Sequence, residues 1–337
     1  EDDPLAVRDV RPSKPDPHIQ EAYRLIEECM VAANESVGRF CASRRLPVPW
    51  RVHETPATAR FQELATLARE LGIKLQLKGG PTPQAFQSAL SSVIQHDARG
   101  PLQIAILRCL SQAAYDATNL GHFALAAPAY LHFTSPIRRY PDLVTHRVVK
   151  HVLAQDGAFK GDDPAPLPEL SRVRQIAAHC SEAERRATGV ERSVVDMYRA
   201  WVMREHVGDA FDALVTGVMS YGLFVQVGSP FVEGLIKRES LGHDHWDTSP
   251  GGAYLLGQRT GKRFGLGSPI RVRLLDSSVV RRQITFELEN PPAPPPRRGR
   301  GGHRGGPRVR RGGPPKRDGD GGRGRKRGSG RKKRKRR

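Results

Sequence analysis

Cysteine is scarce. Four residues in 337, Cys29, Cys41, Cys109 and Cys180, are too few and too scattered for a disulfide framework. None forms a C-x-x-C pair and none has a histidine at finger-like spacing, so a structural zinc site is not expected either. All four are read as ordinary core or helix-face residues in a reducing, cytoplasmic setting. No apolar run approaches the roughly 20 residues of a membrane-spanning helix, and no leader-like segment opens the chain, so no membrane partner is expected. Clustered acids are also missing. The short runs Glu1-Asp2-Asp3 and Asp162-Asp163 lie among prolines, in surroundings that read as irregular. Gly261-Lys262 lacks the earlier glycine and following hydroxyl of a phosphate-binding loop, and Gly217 to Gly222 lacks the spacing of a nucleophile elbow. His243-Asp244-His245 is read as a surface turn.

What the chain does have is positive charge in one place. Residues 291–337 carry 20 Lys and Arg against two acids, of the chain's 55 and 35, which leaves the remainder nearly balanced at 35 against 33. This tail has no aromatic residue and only Ala293 and Val309 as apolar content. It buries too little to offset its ordering entropy and is expected to be disordered. Its Arg-Gly steps and terminal RKKRKRR suit phosphate backbones, with structured RNA or the ribosome as partners.

Hydrophobic periodicity divides the rest. Residues 1–18 read as an irregular lead-in. From 19 to 207 the period is helical. Ala22, Leu25, Ile26, Cys29, Met30, Ala33 and Val37 mark a first helix face. Thr55-Pro56 reads as the cap of a second helix, and a further helix is predicted from Pro101 to Tyr115. Residues 121–133 are small and apolar and are expected to be buried. A long helix is predicted from 168 to 207. At Gly208 the period becomes 2, and five or so short strands to residue 290, one of them Lys262-Arg263-Phe264, predict a small antiparallel barrel. The fold class is α+β: a mainly helical region, a five-stranded antiparallel OB-fold barrel and the tail.

Two constellations carry chemistry. In the helical region, His132-Phe133-Thr134-Ser135-Pro136-Ile137-Arg138-Arg139-Tyr140-Pro141-Asp142 places two forked cations near a helix start, where a phosphate is welcome; pairing with Asp142 is an equally good reading. Pro141 leaves two options, a turn followed by a helix or a kinked helix. In the barrel, the pattern V-x-G-V-x-x-Y-G-L-F-V-x-V followed by F-V-E-G-L-I resembles an S1 RNA-binding domain. The resemblance implies Tyr221 and Phe224 as stacking surfaces for bases, with Phe231 a further one and Lys237 and Arg282 as cations; packing in the core is the other reading of strand aromatics.

The string HFTSPIRRYPDL…HR, with RLIEECMVAAN at 24–34, AYDATNLGHFALA at 114–126 and HCSEAERRA at 179–187, resembles the catalytic domain of the ribonuclease R / ribonuclease II family of 3′-to-5′ exoribonucleases. Residues 211–288 resemble the S1 RNA-binding domain that follows it. The resemblance implies removal of nucleoside 5′-monophosphates from single-stranded RNA, with Mg²⁺ ions activating water, by a monomeric enzyme. It places Arg138 on the scissile phosphate with Arg139 and Tyr140 in support, and Glu191 as a further catalytic residue. Lys237 stands where many S1 domains have a histidine. The family's metal-binding aspartate cluster has no counterpart in these residues, so the expectation is that this polypeptide alone does not hydrolyse RNA. The chain opens on Glu1 rather than Met, which favours an incomplete chain. The alternative is a non-catalytic RNA-binding paralogue or adaptor.

Overall fold

The computed structural model describes residues 7, 9–11, 16–73, 80–96, 99–158 and 165–290. The basic tail, and the disorder expected of it, lie outside them. Helix α1 runs from Pro17 to Ser43, capped by the Asp16 carboxylate, which accepts from the His18 N–H. Its second half buries Asn34, Gly38 and Cys41, whereas Tyr23, Leu25 and Ile26 in its first half are more than half exposed. The predicted apolar face is therefore real but only partly covered by the described residues. After β1 (Trp50–Val52), α2 (Thr58–Glu70), α3 (Pro83–Ser92) and α4 (Arg99–Cys109) enclose a small core of Phe61, Leu64, Phe86, Leu102 and Ile106. Ala57 rather than Thr55 holds the cap position of α2, without a side-chain hydrogen bond.

Helix α4 stops at Cys109, and Tyr115 belongs to a strand, β2 (Ala114–Asp116), antiparallel to β1. The predicted helix overran because Tyr115 and Ala114 continue the apolar spacing, while their backbone groups are taken by the strand partner. Within the stretch expected to be buried, Ala127 and Ala129 to Leu131 are, but a 3-10 turn at Phe123–Leu125 reaches the surface. Helix α5 (Tyr140–Gln155) begins with Pro141 in its first turn, where a missing N–H costs nothing, and α6 (Leu170–Met203) is the long helix. Cys41 and Cys109 sit in apolar cores, as read from their surroundings.

The barrel is closed in the order β10-β5-β4-β3-β9, formed by β3 (Ala210–Met219), β4 (Gly222–Val227), β5 (Val232–Lys237), β9 (Pro269–Ser278) and β10 (Gln283–Leu288). It is not wholly antiparallel. Closure comes from β5 and β10 running parallel through Leu235 and Ile236, because the long β5–β9 excursion brings the last strand back in the direction of β5. Gly234 has no side chain at this seam, and a Cβ there would lie 2.5 Å from the Phe286 ring. Arg263–Gly265 is not a barrel strand. It is β8 of a separate three-stranded sheet with β6 (Trp246–Thr248) and β7 (Tyr254–Gly257), inserted between β5 and β9. Trp246 and Leu255 turn inward to extend the barrel core. Among the described residues, no helix is long and apolar enough to cross a membrane.

Candidate nucleic-acid interface

The Arg138 loop is held by polar groups from two helices, α1 and α5. Asn34 of α1 accepts the Phe133 and Thr134 N–H groups at 2.8 and 3.3 Å, while its own amide donates to the Tyr130 hydroxyl. Asp142, with no exposed surface, accepts the Ser135 N–H at 2.8 Å and Arg139 Nη2 at 2.7 Å. The His146 ring stacks on Phe133 at 3.9 Å and bonds its carbonyl. Arg139 is thus consumed in bracing the loop. Arg138 and Tyr140 beside it are exposed, and Arg138 has no side-chain partner among the described residues.

Behind the loop, the Tyr115 hydroxyl lies 2.8 Å from His132 Nδ1, and the Ser181 hydroxyl of α6 accepts the Tyr115 N–H. Arg51 forms a two-pronged pair with Glu184 at 2.7 and 3.0 Å and lies over the Tyr115 ring. Burial, then the Arg139 and Arg51 charges, push the His132 pKa down to about 3, so its imidazole is neutral. Glu191 is exposed on α6, about 10 Å further along the axis than Glu184, and has no contact with the loop.

Asp142, the carboxylate nearest to Arg138 in sequence, accepts from Arg139 and Ser135 through Oδ1, while its Oδ2 is buried without a hydrogen-bond partner among the described residues. Among the described residues, no three His, Cys, Asp or Glu side chains come together as a metal site. The described side chains therefore do not fit a magnesium ion.

The second site is a groove of about 600 Å³ between the barrel and the end of α6. It brings together Tyr221, Phe224, Lys237 and Arg282, four of the residues singled out from the sequence. Inward positions on β4 are Leu223, Val225 and Val227, which leaves Phe224 on the outer face. Its ring packs on Gly217, where a Cβ would come within 3.3 Å. Tyr221, 54 % exposed in the β3–β4 turn, meets Phe224 edge-on with ring centroids 6.3 Å apart. Register pairs Lys237 with Gly222, next to Tyr221, and Arg282 occupies the β9–β10 turn at φ 54°. Phe231 does not join them. It lies past the opposite end of β4, roughly 20 Å away by strand length, half-buried with its N–H donating to the Val10 carbonyl. Sequence reasoning missed Asn34, which the α1 apolar stripe would have revealed as a polar residue in a buried position, and Asp196 and Arg199 of α6, which line the groove.

The RNB domain family matches residues 7–155 and the S1 RNA binding domain matches residues 205–289. The chain carries matches to both domains, and curated proteins it is similar to are ribonucleases R. It is 36% identical over 271 residues to ribonuclease R of Escherichia coli, covering 80% of this chain and 33% of that protein. It is likewise 36% identical over 268 residues to ribonuclease R of Thermotoga maritima, covering 79% and 37%. The chain thus spans about a third of the length of these curated relatives. Among solved structures, the apo form of Mycoplasma genitalium RNase R superposes with a TM-score of 0.71 at 27% identity, over 79% of this chain and 42% of that one. The same enzyme in complex with ribose methylated single-stranded RNA gives 0.70 at 26%.

Proposed function

We propose that this chain binds single-stranded RNA in the groove between barrel and α6 and supplies the phosphate-contacting part of a hydrolytic 3′-to-5′ exoribonuclease that releases nucleoside 5′-monophosphates. The observation that carries this reading is the convergence of Tyr221, Phe224, Lys237 and Arg282 on one groove in a chain similar to ribonucleases R. The exposed Tyr221 ring and the half-buried Phe224 ring stack on bases irrespective of sequence, and the two cations meet the backbone. The basic tail adds an unspecific electrostatic contribution. Arg138, exposed on a loop that Asn34 and Asp142 hold rigid, contacts the scissile phosphate and offsets charge developing on it. Arg139 acts through Asp142 to hold that loop, and Tyr140 flanks it.

Magnesium belongs to the assembled enzyme and is held by carboxylates outside this chain. The polypeptide alone therefore binds RNA in the cytoplasm without shortening it. A 5′-labelled oligoribonucleotide incubated with the chain and Mg²⁺ tests both halves. Binding without shortening, weakened about tenfold in Tyr221→Ala, is the expected result. Shortening by the chain alone, lost in Arg138→Ala, would overturn the claim that the metal carboxylates lie elsewhere.

A further inference from the structure

The groove has a wall that the barrel does not supply. The last turns of α6 are fastened to β9 by the Ser277 hydroxyl, which donates to the Ala200 carbonyl at 2.7 Å, and this brings Asp196 and Arg199 to the groove. Arg199 Nη1 donates to Asp196 at 3.1 Å, and the two side chains are 30% and 49% exposed. Arg199 Nε is buried at the junction without a hydrogen-bond partner among the described residues. Across the groove Arg281 is paired with Asp276 at 3.0 Å. Of the four lining cations, Lys237 and Arg282 have no carboxylate partner among the described residues, whereas Arg199 and Arg281 are each held by an acid of the groove itself.

A guanidinium presents a planar fork that binds best when two of its donors are met together. Asp196 meets only one nitrogen of Arg199 and leaves Nε unsatisfied, so this pair is a poor use of the fork. A phosphate oxygen pair matches it better. A partly exposed ion pair one helical turn apart also contributes little to stability, so it is readily exchanged. We infer that Arg199 is an RNA-phosphate contact and that Asp196 occupies its fork in the free protein, so that Asp196 restrains RNA binding and is displaced when phosphate arrives. This rests on the groove being the RNA site. The catalytic-region helix thereby forms one side of the RNA path, and the barrel is not a self-contained binding module.

The test is a double-mutant cycle on the full chain, with fluorescein-labelled oligo(A) followed by anisotropy over a salt series. Asp196→Ala and Asp196→Asn should tighten binding roughly two- to fivefold, the scale of a partly exposed pair. The slope of log K against log salt should steepen by about 0.7 for the cation set free. Arg199→Ala should weaken binding, Arg199→Lys should restore part of the loss, and Asp196→Ala should have no effect in the Arg199→Ala background. Melting temperatures should be alike throughout. An unchanged or weaker affinity in both Asp196 variants would overturn the inference. So would an equal gain with and without Arg199, since Asp196 would then act only as a distant charge. If Tyr221→Ala and Phe224→Ala are silent, the groove itself is not the RNA site. If they weaken binding while the Asp196–Arg199 cycle is flat, only the present inference fails.

Discussion

His132 shows what the Arg138 loop demands of a single residue. Its ring accepts or donates to the Tyr115 hydroxyl in a pocket shared with Arg51 and Arg139, and a third cation there would be repelled. In the unfolded chain the same imidazole titrates at its ordinary 6.5, in the folded chain at about 3. Between those values the unfolded state binds the extra proton, so stability is intact above pH 6.5 and falls as pH drops toward 3, by about 1.4 kcal/mol per pH unit. His122 behaves alike, with burial and then His53 lowering its pKa to about 4. Chemical denaturation at pH 7 and pH 5 should register this loss, and His132→Gln should flatten it; equal slopes in both proteins would mean that the ring is not held neutral. Asp142 is the complementary case, a fully buried carboxylate whose removal strands Arg139 and the Ser135 N–H. Asp142→Ala should cost about 3–5 kcal/mol in urea unfolding. Asp142→Asn, which keeps an acceptor, should cost less.

Elements are joined by similarly few groups. The Glu70 carboxylate at the end of α2 accepts the Ser249 hydroxyl at 2.6 Å and the Gly251 N–H at 2.9 Å, and so pins the β6–β7 turn of the inserted sheet to the helical region. Gly251 admits this approach only because a Cβ would lie 2.7 Å from the Leu67 nitrogen. Glu70→Ala should destabilise the protein by about 1–3 kcal/mol and speed hydrogen exchange in residues 249–257. Exchange rising equally across β3 and β4 would point instead to general unfolding. The same contrast between local and distant contacts explains what was readable beforehand. Tyr221, Phe224 and Lys237 lie in the neighbouring strands β4 and β5 and the turn before them, where the local pattern resembles an S1 domain, so their grouping was legible; Arg282, 45 residues beyond Lys237, joins them only through the closed barrel. Asp196 and Arg199 were not legible, because they reach the groove only once α6 packs on β9. The parallel β5–β10 seam escaped for the same reason, since it joins residues 50 apart. The separate sheet holding Phe264 pairs residues only 7 to 11 apart, but alternation within a strand does not say which sheet that strand joins. The α1 period was legible over its full length, but periodicity says nothing about which half finds a partner.

For the whole molecule, the incomplete coverage of α1 and the proposed metal chemistry point the same way. Tyr23, Leu25 and Ile26 stand uncovered on one helix, Ile137 beside Arg138 is 97% exposed, and the curated relatives extend well beyond the third of their length matched here. A surface of this kind, next to an arginine without a side-chain partner among the described residues, suits the further segment that carries the metal-holding acids in the proposed function. On the proposed function, joining the part of Escherichia coli ribonuclease R outside its matched third to this chain should give Mg²⁺-dependent release of nucleoside monophosphates from a 5′-labelled strand. In that chimaera Arg138→Ala should lower turnover roughly a hundred- to thousandfold, as expected for removing one donor that stabilises developing charge. RNA affinity, assigned to the barrel–α6 groove in the proposed function, should stay within about twofold. Tyr221→Ala should do the reverse, weakening capture of the strand while leaving single-turnover cleavage of bound RNA near its original rate. If Arg138→Ala reduces affinity and turnover in equal proportion, the arginine is a binding cation and not a group tuned to the reacting phosphate, and the division of labour between loop and groove would have to be redrawn.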